Sequence, residues 1–277
     1  MRLSESPSCG VILLNFSIIT WKVGFIEEYN KVIRTPSYKL LSKTVFRISN
    51  EALNFINPIS TNDLNKPSNA FLDSFGKLIA LVDQTVINNE IYLVVEEKYK
   101  EKLLANLNKY TRFSKSKIEE LNLNVVHFIN KEINGIIIKK NIGCYVLLED
   151  LGVLGGMNEI SDEVYNVIRI ENKLPVQGID FDNPMFLETG LIEAISFTKG
   201  CYPGQEIIAR VNSRSKPVKK LVRILFDKIP EIVTINNEEV GKITSSCFSP
   251  KYNMFLVFAM IKDYDKKLDY GKILENM

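Results

Sequence analysis

The stretch that decides the fold is FTKGCYPGQE at residues 197–206 of a 277-residue chain. Pro203 and Gly204 suit the two central positions of a type II turn, because proline fixes φ and glycine accepts a positive φ. A helix is predicted to begin at Gln205. Cys201 would then have a lysine nearby and a helix N-terminus beyond it, and both lower the pKa of a thiol. On these residues alone, a reactive cysteine and a buried structural cysteine are equally favoured.

The sequence around this stretch is locally basic, although the whole chain has a net charge of only +2. Residues 199–223 contain one acid, Glu206, and seven basic side chains: Lys199, Arg210, Arg214, Lys216, Lys219, Lys220 and Arg223. Such an excess indicates an anionic ligand or RNA, or else a solvated linker between domains. The linker is slightly favoured because no aromatic residues are interleaved. The near-neutral total excludes a globally basic nucleic-acid binder.

The histidine and cysteine content limits the kinds of metal and catalytic site that the chain can form. His127 is the one histidine, which excludes a site with two or three histidine ligands. Its surroundings predict a strand, and a half-buried strand histidine is favoured over a catalytic one. Four scattered cysteines without a CxxC pair do not support a disulfide scaffold or a zinc site. We therefore expect a protein of the reducing cytoplasm with no bound metal, in about two domains.

The first 35 residues form an N-terminal extension of unclear status. Their apolar run at 9–20 is too short to span a bilayer, and no membrane association is expected. A signal peptide is disfavoured, since no small-x-small cleavage site follows the run.

Hydrophobic periodicity predicts an α+β region followed by a mostly β region. Strands are expected at 45–48, 91–95, 124–129, 135–139 and 144–148, and two more within 71–86 around a turn at 73–76. Helices are expected after an Asn50 cap up to Pro58, over 97–110, and over 161–171 with Ser161 as cap. Residues 173–184 are predicted to be loop. Short apolar runs at 221–226, 232–235, 240–243 and 254–261 predict a β-sandwich or small barrel.

The extended signature closely resembles that of the YgfZ-type folate-binding proteins, which are paralogues of the glycine-cleavage T-protein, an aminomethyltransferase. Other segments resemble the family as well, namely STNDL at 60–64, RIE at 169–171, Pro175, GID at 178–180, ETGL at 188–191, GKITSS at 241–246, and Ser249-Pro250. The resemblance covers about residues 44–261. It implies two interleaved α+β lobes, the first discontinuous in sequence, and a C-terminal β-barrel around a central tetrahydrofolate channel. The parts expected are an α+β folate-binding region at 36–198, a signature turn and basic linker at 199–220, and the barrel at 221–277.

Two departures separate this chain from the aminomethyltransferases. Their acidic segment beside the reactive folate nitrogens aligns with Ala80 and Leu81, which cannot position or activate an amine. Asp83, on the Leu81 face of a predicted strand, is a weak substitute. T-proteins also usually have an acid at the position of Cys201. Both departures favour the YgfZ side, and no independent aminomethyltransferase activity is expected.

The resemblance implies an accessory protein that binds folate and supports the assembly or repair of iron–sulfur clusters, with an indirect effect on tRNA-modifying enzymes. Its partners would be iron–sulfur assembly proteins or client enzymes. Cys201 would be the reactive thiol and Lys199 would tune it. The folate-contacting residues implied are Arg169, Glu171, Gly200, Tyr202, Gly204, Gln205 and Glu206.

Several alternatives stay open. Arg169 could pair with Glu171 instead of folate, and Tyr202 could pack against the barrel instead of a pteridine ring. The runner-up function is a true aminomethyltransferase whose carboxylate comes from Asp83 or Asp73. Direct RNA binding by residues 199–223 is a third, disfavoured reading.

Overall fold

Three five-stranded sheets form the framework of the computed structural model, which describes residues 23–274. Cys9 and the apolar run at 9–20 lie outside the described residues. The strands are β1 (Ser37–Leu41), β2 (Lys43–Ser49), β3 (Ser68–Leu72), β4 (Leu78–Ile87), β5 (Glu90–Glu96), β6 (Lys117–Leu121), β7 (Asn124–Ile129), β8 (Ile136–Lys139), β9 (Cys144–Leu148), β10 (Asn158–Glu159), β11 (Lys219–Phe226), β12 (Val233–Ile235), β13 (Glu238–Ser249), β14 (Met254–Lys262) and β15 (Lys272–Leu274).

Five α-helices connect and cover the sheets in the described part of the chain. Residues 23–32 are helical and are called α1. The others are α2 (Ala52–Ile56), α3 (Lys100–Thr111), α4 (Asp162–Glu171) and α5 (Gln205–Arg214). Short 3-10 turns lie at Asn57–Ile59, Glu97–Tyr99, Gly152–Leu154, Phe186–Thr189 and Ile192–Ala194. None of the helices within 23–274 is long and apolar enough to cross a membrane.

The first two sheets are interleaved along the chain. Sheet I has the strand order β10-β1-β7-β9-β8, and sheet II has the order β3-β4-β5-β2-β6. The chain therefore leaves sheet I after β1, completes all of sheet II, and returns to sheet I at β7. This path confirms the predicted α+β fold with a first lobe that is discontinuous in sequence.

The C-terminal sheet has the order β12-β13-β14-β11-β15 and curls into a half-barrel. Strands β12 and β15 are its outer strands, and this curled sheet is the C-terminal barrel part of the expected fold. Its strands β11, β13 and β14 are long, and β13 pairs with β14 from Gly241 to Ser249.

Helix α4 joins the lobes to the half-barrel. Its apolar side packs against Phe25 and Tyr29 of α1 in one buried cluster. The Tyr29 hydroxyl donates a hydrogen bond to Glu171 at 2.7 Å, and Ser249 of β13 donates to the other oxygen of that carboxylate. Part of the N-terminal extension thus lies within the core contacts of the fold.

The predicted caps have different outcomes. Ser161 caps α4 as predicted, since its Oγ accepts a hydrogen bond from the Val164 amide at 3.3 Å. The Asn50 prediction is wrong, because the N-cap position of α2 belongs to Glu51, which makes no side-chain cap. Asn50 and Glu51 both have left-handed backbone, with φ of 56° and 54°. Asparagine tolerates that conformation in turns, so Asn50 serves the reversal between β2 and α2.

The signature turn is present as predicted. The Gln205 amide donates to the Tyr202 carbonyl at 3.2 Å, and Gly204 has φ 79° and ψ −4°, as the third residue of a type II turn requires. Helix α5 then begins at Gln205. A Cβ on Gly204 would lie 2.6 Å from the Asp73 carbonyl oxygen and 2.9 Å from Gly76 Cα. The signature turn therefore packs backbone against backbone on the β3–β4 turn.

We predict that Gly204→Ala lowers the free energy of unfolding by about 2 kcal/mol or more, because it combines a strained φ with a backbone clash. Gly200→Ala is the matched control, since nothing lies within 4 Å of a Cβ at that position. Urea denaturation of both variants measures the difference. Equal stabilities would contradict the close packing of the signature turn.

Candidate functional site

A cavity of about 380 Å³ lies between sheet I, sheet II and α4. Strand β4 contributes Leu81 and Asp83 to its wall. Ala80 instead points into the core of sheet II, where it is fully buried. The prediction that Asp83 shares a face with Leu81 rather than with Ala80 is therefore confirmed. Of the described residues that line the cavity, none comes after Glu193, so neither the signature nor the half-barrel contributes to its wall.

Sheet I and α4 give the cavity a polar wall. Lys39, His127 and Tyr145 are cross-strand partners on β1, β7 and β9, so their side chains share one face of sheet I. Helix α4 and its C-terminal extension line the cavity at helical spacing with Asp162, Tyr165, Arg169 and Lys173. The other side of α4 packs into the core with α1. The sequence pattern places Tyr165 on one face with Val164 and Ile168, but in the structure Tyr165 reaches the cavity while Val164 and Ile168 lie in the core cluster.

The charges at the inner end of the cavity balance one another. Asp83 forms ion pairs with Lys140 and, at 3.8 Å, with Lys43, and Lys43 also pairs with Glu96. Burial opposes the charge of Lys43, but Glu96 and Asp83 outweigh that effect and raise its pKa. The Lys140 and Lys43 ammonium groups lie 4.8 and 5.5 Å from the centre of the Tyr145 ring, within cation–π range. This end is thus aromatic, rich in hydrogen-bond donors and close to neutral.

His127 supports this wall from inside sheet I. Its Nε2 lies 2.7 Å from the Ile142 carbonyl oxygen, which can only accept, so Nε2 carries the proton. Nδ1 then accepts from the Tyr165 hydroxyl at 3.0 Å. Burial lowers the pKa of His127 to about 4, so the ring is neutral at pH 7. The prediction of a strand histidine is confirmed, although the ring is fully buried rather than half-buried.

The outer end of the cavity has more lysines than acids. Lys39 pairs with the exposed Asp162 at 2.5 Å and donates to the Ile160 carbonyl at 2.9 Å. Among the described residues that line the cavity, Lys139 and Lys173 add two further lysines, and Glu193 adds one further acid. Lys139 is exposed and pairs with Cys144, so its side chain leaves sheet I on the face opposite Tyr145. Its charge can therefore act on an anionic group at this end of the cavity through space rather than by direct contact.

Arg169 lines the cavity but is held by the protein itself. Its Nη1 donates to Asp180 at 2.7 Å, and its Nη2 donates to Ser245 of β13 at 2.6 Å. The alternative pairing of Arg169 with Glu171 is therefore wrong. Glu171 points away from Arg169, and its carboxylate accepts hydrogen bonds from Tyr29 and Ser249 instead. Glu171 does not line the cavity.

The structure places the signature residues away from the cavity. Tyr202 is buried in a core cluster that includes Leu221 and Phe258 of the half-barrel, and burial raises its pKa to about 12. Glu206 is exposed and pairs with Arg210 at 3.2 Å. Gln205 donates to the Lys199 carbonyl at 3.4 Å. Gly200 and Gly204 lie in the same segment, so this set and the cavity are two separate features.

Lys199 is directed at backbone carbonyls. Its Nζ donates to the carbonyl oxygens of Asn57, Ser60 and Asn62 at 2.6, 2.7 and 3.0 Å. Burial lowers the pKa of this ammonium to about 8, against an opposing effect of Asp63. The side chain also lies 5.9 Å from the centre of the Tyr202 ring.

Cys201 is the one exposed cysteine among the three that the structure describes. Cys144 and Cys247 are both partly buried, and burial raises the pKa of each thiol, that of Cys247 to about 12. No cluster of three or more His, Cys, Asp or Glu side chains that could hold a metal ion occurs within residues 23–274.

The basic side chains of residues 199–223 do not form one patch. Lys219 lies 4.0 Å from Glu188, whereas Lys220 lies over the Tyr264 ring. Arg223 is buried and donates to the Glu171 carbonyl at 2.7 Å. Lys216 pairs with Asp265. Successive residues of β11 point to opposite faces, which separates charges that are adjacent in sequence.

Sequence reasoning missed the inner end of the cavity. No local sequence motif marks the residues that meet there, which are Lys43, Lys140, Tyr145 and Tyr165. They come together because sheet I packs over sheet II. Of the two carboxylates considered for a transferase, only Asp83 reaches the cavity. Asp73 instead accepts hydrogen bonds from the Phe75 and Lys77 amides within its own turn.

Comparison with solved structures supports the assignment of the fold. No protein-family model matches the sequence. The fold is similar to that of the glycine cleavage system aminomethyltransferase T from Bartonella henselae, with a TM-score of 0.73 over 86% of this chain and 81% of that one. At 12% identity, this similarity shows the aminomethyltransferase fold alone.

A sequence match then indicates the branch. The chain is 30% identical over 86 residues to the tRNA-modifying protein YgfZ of Colwellia psychrerythraea. The match covers 28% of this chain and 26% of that protein, so the chain matches about a quarter of the length of this relative. Together, the two comparisons confirm the resemblance to a YgfZ-type protein on the aminomethyltransferase fold.

We predict that acidification destabilises the protein through His127. Because the folded-state pKa of about 4 lies below the unfolded value of 6.5, the unfolded chain binds more protons between these pH values. The contribution, about 3 kcal/mol, is fully present above pH 6.5 and is lost as the pH falls towards 4. Urea denaturation from pH 7 to 4.5 should show a shallower loss for His127→Gln. Parallel curves for the two proteins would disprove this role of His127.

We also predict selective alkylation of Cys201. At pH 8 iodoacetamide should modify Cys201 well before Cys144 and Cys247, since burial keeps those two thiols protonated. Peptide mass spectrometry over time resolves these three sites from one another and from Cys9, and Cys201→Ser identifies the phase that belongs to Cys201. Faster labelling of either buried cysteine would contradict the structure.

Proposed function

We propose that the cavity binds a reduced folate, tetrahydrofolate in the first instance. The observation that carries this proposal is the arrangement of charge along the cavity. A volume of about 380 Å³ lies within the usual range for small-molecule sites. Its aromatic, nearly neutral inner end suits a flat heterocycle that is rich in hydrogen-bonding groups. Its lysine-bearing rim suits the carboxylates of a glutamate tail.

Inside the cavity, the inner lysines and tyrosines would recognise the ring. The Lys43 and Lys140 ammonium groups offer N–H donors to carbonyl and ring-nitrogen acceptors, and the Tyr145 and Tyr165 rings provide apolar surface. Lys139 at the rim would attract the acidic tail, with a strength that salt reduces. Arg169 would contribute through the part of its side chain that lines the cavity, while Asp180 fixes its orientation.

We further propose that the protein is a folate-dependent accessory factor for iron–sulfur enzymes in the cytoplasm, among them enzymes that modify tRNA. The name of the Colwellia relative, which describes a tRNA-modifying protein, supports this context. Cys201 is exposed on a segment apart from the cavity, so a partner protein can reach the thiol while folate is bound. Assembly factors or client enzymes of iron–sulfur clusters are the partners proposed.

The second candidate is aminomethyl transfer to tetrahydrofolate, and one observation favours it. Asp83 lines the cavity, where a carboxylate could position a reacting amine. However, Lys43 and Lys140 both pair with Asp83, so its negative charge is already compensated. Ala80 supplies no carboxylate from the core side. The accessory role is therefore preferred. Measurable transfer of a one-carbon unit from an aminomethylated carrier protein would reverse this choice.

Equilibrium titration with tetrahydrofolate at two salt concentrations tests the cavity. We predict saturable binding whose affinity falls only modestly at the higher salt, because the ligand carries few charges that salt can screen. Lys139→Glu should weaken binding by about three- to tenfold at low salt, because it reverses one rim charge. Lys228→Glu, an equally exposed lysine remote from the cavity lining, is the control.

The same titration with a pteroate ligand, which lacks the glutamate tail, tests the proposed orientation. Lys139→Glu should have little effect on the affinity for this ligand. No saturable binding of tetrahydrofolate by the wild-type protein would refute the proposed ligand. An equal effect of Lys139→Glu on both ligands would refute the orientation.

For the accessory role, we predict that Cys201→Ser folds normally, binds tetrahydrofolate, and fails to support iron–sulfur enzymes in a strain that lacks the protein. Only the thiolate is strongly nucleophilic and metal-binding, and serine cannot replace it. Activities of iron–sulfur enzymes and tRNA modification levels provide the measurement, with Cys144→Ser as the control. Full rescue by Cys201→Ser would remove the thiol from the mechanism.

A further inference from the structure

The side chain of Lys199 is committed to one segment of backbone. An ammonium group has three N–H donors, and the three carbonyls of Asn57, Ser60 and Asn62 lie within 3.0 Å of Nζ. All the donors of Lys199 are thereby accounted for. A role in tuning the Cys201 thiol has no comparable contact to support it.

The segment needs such a partner because of where it lies. Residues 57–62 include the 3-10 turn Asn57–Ile59, which follows directly on α2. Carbonyls at the end of a helical segment have no partner within the helix, and a cation there is favourable. Removal of a charged donor from part-buried carbonyls costs more than loss of an ordinary surface hydrogen bond.

The same segment sets the position of two parts of the cavity wall. The Asn62 side-chain amide donates to the carbonyls of Ser68 and Glu193 at 2.8 and 2.7 Å, and both of these residues line the cavity. The neighbouring Asn69 amide donates to Gln84 at 3.1 Å, directly beside Asp83. A buried amide network thus runs from the carbonyls that Lys199 holds to the polar wall on β4.

A second attachment lies five residues further along the signature. Gly204 packs on the β3–β4 turn, and Gln205 closes the segment by its hydrogen bond to the Lys199 carbonyl. Cys201 therefore lies between two attachment points, the Lys199 side chain and Gly204. Lys199 binds the segment before β3, and Gly204 packs on the turn between β3 and β4. The signature and the cavity are separate in space but share these supports.

We propose that Lys199 is a positioning residue of the cavity: its side chain anchors residues 57–62 and, through Asn62, the cavity wall at Ser68 and Glu193. This inference rests on the proposed function only in naming tetrahydrofolate as the ligand that reports on the wall. The anchor itself concerns this chain's own backbone, and it can be measured without any ligand.

The test combines amide hydrogen exchange with a double-mutant cycle. Lys199→Met should speed exchange in residues 57–69 by about tenfold or more and weaken tetrahydrofolate binding by about tenfold, the effect of losing a charged donor. Asn62→Ala should also weaken binding. The double variant should bind no more weakly than the weaker single variant, because both substitutions act through one segment. Lys216→Met, in the same basic stretch but paired with the exposed Asp265, is the control.

The results that would overturn the anchor differ from those that would overturn the proposed ligand. Additive losses in the cycle, or unchanged exchange in residues 57–69, would overturn the anchor. An upward shift in the pH profile of Cys201 alkylation with unchanged affinity would instead assign Lys199 to the thiol and also overturn it. If Lys199→Met does not fold, Lys199→Gln, which retains two N–H donors, replaces it in the cycle. If the wild-type protein does not bind tetrahydrofolate, the proposed ligand fails, while the exchange measurement still decides the anchor.

Discussion

The close packing of the signature turn on the β3–β4 turn is the constraint on which the rest of the arrangement depends. Gly204 leaves no room for a side chain against Asp73 and Gly76, so the two backbones fix one another's position. Strand β4 runs directly from this contact into the cavity wall at Leu81 and Asp83. On the other side, Tyr202 packs with the half-barrel. One tight turn therefore holds together the lobe, the half-barrel and the segment that carries Cys201.

Electrostatics then determine what the cavity can do. A free carboxylate at Asp83 would favour amine chemistry, but its two lysine partners leave the inner end nearly neutral. Buried ions are tolerated when they are paired in this way, and breaking the pair would be costly. The inner end of the cavity is consequently poorly suited to activating an amine, in agreement with the folate-binding role proposed for it. A thiol exposed elsewhere on the surface is consistent with a protein whose ligand and reactive group act at separate places.

Local features of the sequence were sufficient to predict most elements and the type II turn at 202–205. Periodicity identified strands in each of the three sheets but missed the short strands β1, β6, β10 and β15. Ser161 was readable as a cap because its geometry is local. The interleaving of the lobes came only from the resemblance to the YgfZ-type proteins. The partner of Arg169 was not predictable, since Asp180 reaches it from a loop without regular periodicity. The inner cavity was also missed, because Lys43, Asp83 and Lys140 meet through sheet packing rather than through sequence spacing.

The basic stretch shows the opposite error, in which nearness in sequence suggested nearness in space. Alternation along β11 sends Lys219 and Lys220 to different faces, and Arg223 is buried against the end of α4. The basic side chains therefore do not form the single surface that the disfavoured RNA-binding hypothesis would need. Hydrogen exchange of the whole protein with and without saturating tetrahydrofolate tests the central claim most directly. Protection should be concentrated in residues 39–43, 81–84 and 138–145, which surround the cavity. Protection confined to residues 197–214, or none at all, would contradict the account.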